Sequence, residues 1–71
     1  MSVQAGQTYR HYKGPIYKTV SLALHSETEE ELVIYYAVEK PEQLWARPRK
    51  MFENDVVVDG KMVKRFKLVK E

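Results

Sequence analysis

Between Ile16 and His25 bulky apolar positions alternate with smaller or polar ones: Ile16, Val20, Leu22 and Leu24 fall on one face, and Tyr17, Thr19, Ser21, Ala23 and His25 on the other. A period of two in a run rich in β-branched and aromatic residues predicts a strand with one buried face. Lys18 interrupts the apolar face, which predicts a bulge or bend near the strand's start. Further on, Leu32-Val33-Ile34-Tyr35-Tyr36-Ala37-Val38 is apolar on every side. The pairs Ser26/Glu29 and Thr28/Glu31 just before it match a capping box and raise a rival helix from Glu27 to Glu39. A helix in so small a chain could not bury its whole circumference, whereas a strand in the middle of a curved sheet could. The pattern therefore predicts a strand.

The remaining runs are short. Thr8 to Lys13 reads as a strand with Tyr9, His11 and Tyr12 as its bulky members, stopped by the turn signal Gly14-Pro15. Residues 1–7 are small and polar and are expected to form a flexible tail, leaving residues 8–71 as the domain. Glu39-Lys40-Pro41-Glu42 is a turn, and Leu44 to Arg47 a short strand, because Pro48 biases Arg47 away from helical geometry. Arg49 to Asn54 reads as one helical turn that drops Met51 and Phe52 onto the core. Val56-Val57-Val58, Asp59-Gly60 and Lys61-Met62-Val63 predict a tight hairpin with Val58 opposite Lys61 and Val56 opposite Val63. Arg65 to Val69 is expected to continue its second arm. The predicted class is mainly β: a single small SH3-like barrel of five to six short antiparallel strands with one single-turn helix, a closed form that removes exposed sheet edges.

Composition narrows the function more than it names it. Seventy-one residues make one small domain with no room for a large enzyme pocket. A formal charge of +2 is too mild for a chain organised wholly around phosphate neutralisation. With no cysteine there is no disulfide scaffold, thiolate nucleophile or thiolate-bound metal. No apolar run is long enough to cross a bilayer, and Met1 to Gly6 lacks the features of a signal peptide, so a cytoplasmic protein without membrane contact is expected.

Four segments in order carry a resemblance: Tyr9-Arg10-His11-Tyr12-Lys13-Gly14; His25-Ser26-Glu27-Thr28; Leu44-Trp45-Ala46-Arg47-Pro48 with Met51-Phe52; and Asp59-Gly60-Lys61 with Arg65-Phe66. Together they resemble the bacterial family known as domain of unknown function 1653, over Thr8 to Leu68. The resemblance implies an SH3-type barrel and no established activity. Ser21 stands where that family is associated with glycine and Leu24 where it has a basic residue, which leaves open the inward face of this strand.

Chemistry-bearing residues give competing readings. His25 and Glu27, two apart on an extended chain, could join His11 as nitrogen and oxygen ligands of a divalent metal. Equally, His25 could end its strand by hydrogen-bonding the following turn. Ser26 or Thr28 beside His25, with Arg47 or Arg65 as electrophile, sketches a hydrolytic site, but neighbours on a strand diverge and the fold offers no deep dry cavity. Glu27, Glu29, Glu30 and Glu31 form either a solvated loop or an acidic rim. Arg47, Arg49 and Lys50 flank Trp45 and Pro48, and Lys61, Lys64, Arg65, Lys67 and Lys70 follow in the last third. Aromatics interleaved with cations suit single-stranded nucleic acid, although alternate lysines also wet an outer face. Trp45 could line a peptide groove or anchor the core, and of Tyr35 and Tyr36, which point to opposite faces, at least one should be exposed or at the barrel mouth.

These readings converge on a non-catalytic binding module, a monomer or weak dimer needing no cofactor. Its expected surface joins His11, Tyr12 and Lys13 to His25, Glu27, Tyr35, Trp45, Arg47 and Arg65. The expected partner is single-stranded nucleic acid or an extended peptide or protein segment. The alternative is a small metal-binding or hydrolytic domain using His11, His25 and Glu27.

Overall fold

The structure is a computed structural model and describes residues 3–70. In chain order it has β1 (Thr8–His11), β2 (Ile16–Leu24), β3 (Glu31–Ala37), β4 (Leu44–Pro48), α1 (Arg49–Phe52), β5 (Asp55–Val58), β6 (Lys61–Lys64) and β7 (Phe66–Lys70). All pairings are antiparallel, in a five-stranded sheet ordered β4-β3-β2-β1-β7 and a two-stranded sheet of β5 and β6. The domain is mainly β with one short helix, as its sequence predicts. The all-apolar run from Leu32 is strand β3, flanked by β2 and β4, so both its edges are hydrogen-bonded.

β2 departs from the simple alternation. Thr19 stands opposite Tyr35 but Ser21 stands opposite Ile34, so Val20 is an extra residue at a bulge. One inserted residue reverses which side chains face inward. Before the bulge Tyr17 and Thr19 share the face of buried Tyr9 and Tyr35; after it Leu22, itself 38% exposed, takes the face of buried Val33. Ile16, Val20, Leu22 and Leu24 therefore do not form one face. The lysine that interrupts the pattern marks the neighbourhood of the bulge, two residues early.

Thr19 is buried, and its hydroxyl explains how the chain start is held. It accepts a hydrogen bond from the Gln7 amide at 2.9 Å and donates to the Gln4 carbonyl at 2.6 Å. The buried Gln7 side chain accepts from the Gln4 amide at 2.8 Å and from the Tyr9 hydroxyl at 2.7 Å. Val3 is 3% exposed within the core, and its amide donates to a Glu53 carboxylate oxygen at 3.1 Å. Residues 3–7 are thus packed against the sheet and correct the expected flexible tail; residues 1–2 of that tail lie outside the described residues.

The core is Val3, Tyr9, Val33, Tyr35, Phe52 and Phe66. Phe52 and Phe66 stack face to face, centroids 4.0 Å apart and planes within 2°. Tyr9 and Tyr35 meet Phe52 edge-on at 5.1 and 5.4 Å. Burying a side chain of this size stabilises by about 1.5–3 kcal/mol. Met51 does not join them: it is 46% exposed, because adjacent residues on a single helical turn lie about 100° apart and Phe52 takes the inward place.

The β5–β6 hairpin has the predicted register, Val58 opposite Lys61 and Val56 opposite Val63. Asp59 (φ 52°) and Gly60 (φ 78°) both occupy the left-handed region that a tight two-residue hairpin turn requires. The second arm then breaks at Arg65. The Arg65 amide donates to the Asn54 carbonyl, its carbonyl accepts from the Tyr12 amide, and its Nε donates to Asn54 Oδ1 at 2.9 Å. With Arg65 so held, β7 leaves the hairpin and pairs with β1, and the last run becomes two strands in two sheets.

Candidate ligand-binding surface

The end of β1 gathers most of the expected residues. His11 lies opposite Phe66 in the β1–β7 ladder, and the two rings meet edge-on at 4.9 Å. Tyr12 and Tyr17 flank the imidazole at 4.6 and 6.1 Å. Across the sheet, β4 sets Trp45 opposite Tyr35 and Arg47 opposite Val33, both partners being buried inner-face residues. Arg47 Nε donates to the Tyr35 hydroxyl at 3.3 Å, and its guanidinium lies 5.8 Å from the Phe66 centroid. Tyr17 joins Tyr35 and Phe66 at 5.5 and 5.6 Å. Tyr17, Tyr35 and Phe66 therefore make an aromatic floor with Arg47 over one side and His11 over the other.

The charge at this end is of one sign. The His11 pKa lies below its ordinary 6.5, first because of burial, then because Arg65, Arg47 and Lys13 repel its proton. Arg65 is held by Asn54, and Lys13 Nζ lies 5.8 Å from the Tyr12 ring. Among the described residues the ion pairs are those of Arg49 with Glu31 at 2.9 Å and Glu53 at 3.2 Å. Arg47, Arg65 and Lys13 have no carboxylate partner there. Trp45 is 49% exposed on the edge strand, so it is no core anchor and offers a free aromatic face beside Tyr35.

His25 and Glu27 belong elsewhere, which corrects their place in the expected surface. His25 follows the far end of β2, about 25 Å of strand from the Ile16 end that pairs beside His11. Its Nδ1 accepts from the amides of Glu27 at 3.1 Å and Thr28 at 3.4 Å, closing the β2–β3 turn. Glu27 is exposed and contributes its backbone there. The triad His11, His25 and Glu27 is not assembled, and no group of three His, Asp or Glu among the described residues could hold a metal ion. The acidic loop meets Arg49, whose pKa is raised by its hydrogen bonds to Glu53 and then Glu31.

Tyr17 and Phe66 complete the floor without having been expected to. Phe66 needs the break at Arg65 to reach β1. Tyr17 carried a signal: it is the one aromatic residue in β2.

These features define a small antiparallel β domain with an aromatic, cationic surface at one end. A family model described as "Protein of unknown function (DUF1653)" matches residues 7–68, and the chain belongs to that family. No curated protein and no solved structure matches it. Among the described residues, no helix is long and apolar enough to cross a membrane.

Proposed function

We propose that this domain binds single-stranded nucleic acid on the surface formed by His11, Tyr12, Lys13, Tyr35, Trp45, Arg47 and Arg65, and does no chemistry of its own. One observation carries the reading: Arg47, Arg65 and Lys13 gather around His11 beside the aromatic floor, with no carboxylate paired to any of the three among the described residues. Uncompensated cations favour an anion, and the exposed rings of Tyr12 and Trp45 favour flat bases; single-stranded nucleic acid supplies both. The short antiparallel strands and single helical turn support the SH3-like barrel that the family resemblance implies. An extended peptide is the second reading, favoured by β4, which ends the sheet order and carries the half-exposed Trp45.

Titration with a short oligothymidylate at low and physiological salt, followed by Trp45 fluorescence and amide shifts, separates the two. Nucleic-acid binding predicts shifts around His11, Tyr35, Arg47 and Arg65 and affinity that falls steeply with salt. Absence of binding at low salt, or binding indifferent to salt, rejects it.

A further inference from the structure

Beside this surface runs an open groove of about 710 Å³ between the β1–β2 turn, the β5–β6 hairpin and β7. Its cations are Arg10, Lys64 and Lys67, its apolar lining is Val58, Val63 and Leu68, and it holds no carboxylate. His11 and Tyr12 line it too, so it is continuous with the aromatic surface.

Alternate lysines that merely wet a strand need not face one another. Here Arg10 and Lys67 are direct cross-strand partners in the β1–β7 ladder, a like-charge pair that opposes folding. Lys64, from the other sheet, lines the same groove. Three cations of two sheets thus border one open groove. An extended polyanion relieves this repulsion; a neutral peptide does not.

We propose that the groove holds the sugar–phosphate backbone of the bound strand, with Arg10, Lys64 and Lys67 touching phosphates and Tyr12 and His11 at the passage to the base-stacking surface. The inference rests on the nucleic-acid reading above and adds the path of the strand.

The test compares thymidine monophosphate with oligothymidylates of increasing length, at several salt concentrations, for the native chain, for Lys64→Gln/Lys67→Gln and for Lys40→Gln/Lys50→Gln. The last removes the same charge outside the groove. For the longer strands, the groove variant should lower the salt slope, log Kobs against log[salt], by about 1.4 in magnitude, at about 0.7 for each phosphate left without its lysine. It should also abolish the affinity gained with strand length while leaving monophosphate binding unchanged. The Lys40/Lys50 variant should keep both the slope and the length dependence. If the groove variant binds long strands with native affinity and slope, or if the two variants lower the slope equally, the groove assignment is overturned and the nucleic-acid reading stands. If the native chain binds neither probe at low salt, both fall.

Discussion

The two histidines make the same local hydrogen bond in two different settings. His11 Nδ1 accepts from the amide of Lys13 at 3.2 Å, and His25 Nδ1 from that of Glu27 at 3.1 Å; each is the amide two residues on. Around His25 the neighbours are turn backbone and exposed carboxylates, and the nearby cation Arg49 already pairs with Glu31 and Glu53. Around His11 stand three aromatic rings and three cations. At the acidic end the cation Arg49 is paired with two carboxylates, whereas at the other end Arg47, Arg65 and Lys13 have no carboxylate partner among the described residues. The difference teaches that neither the residue type nor its nearest hydrogen bond marks a site. What marks it is charge left without a partner over a surface able to bind.

The largest expected effect breaks the floor itself. Phe66→Ala removes the stack with Phe52 and the ring beneath Arg47, and should cost about 3–5 kcal/mol of unfolding free energy. Leu24→Ala, at the acidic end and 64% exposed, should change it by less than about 0.5 kcal/mol. Urea unfolding of both measures the contrast. Equal costs would mean that the cationic end does not share the core of the domain.

Next in size is the pair Arg47→Ala and Arg49→Ala. The first should weaken oligonucleotide binding about tenfold, on the order of 1.4 kcal/mol. The second should leave binding unchanged, because Arg49 is already committed to two carboxylates. Arg47→Lys keeps the charge but loses the planar donor that meets the Tyr35 hydroxyl, and should fall between native and alanine. Fluorescence titration orders the three. If Arg49→Ala weakens binding as much as Arg47→Ala, the two ends are not distinct.

Much of this contrast is legible in the sequence, because it rests on local signals. Asp59-Gly60 sets the hairpin register to the residue, and β-branched and aromatic residues decide strand over helix at β3. The aromatic and basic residues of β1 and β4 are visible as candidates before their meeting can be seen. What is hidden is what depends on distant partners. Residues 3–7 look loose because the Thr19 hydroxyl and the Gln7 side chain that hold them reveal their role only once β2 is in place. The inward face of β2 is hidden by one extra residue, Val20, since a bulge leaves composition unchanged while reversing the alternation. His25 and Glu27 entered the expected surface because spacing of two is real along a strand, but the chain turns there instead.

The smallest effect is the most specific to the cationic end. The folded domain holds His11 below its ordinary 6.5, through burial first and then the repulsion of Arg65, Arg47 and Lys13. Between that lowered value and 6.5 the unfolded chain binds a proton that the folded domain does not, so stability rises with pH across this window. The contribution is complete above 6.5, declines as pH falls towards the folded value, and is gone below it. His11→Gln should remove that slope from urea midpoints measured from neutral to mildly acidic pH, and Arg47→Ala should reduce it by removing one repelling charge while leaving the burial. A bound polyanion acts in the opposite sense. It offsets the three cations, raises the proton affinity of His11, and so must bind more tightly as pH falls, with proton uptake. The same acidification should therefore weaken the free domain and strengthen its complex, and His11→Gln should abolish both trends together. If the complex keeps its pH dependence in that variant, His11 lies outside the bound surface, and the aromatic floor meets its ligand through Arg47 and Trp45 alone.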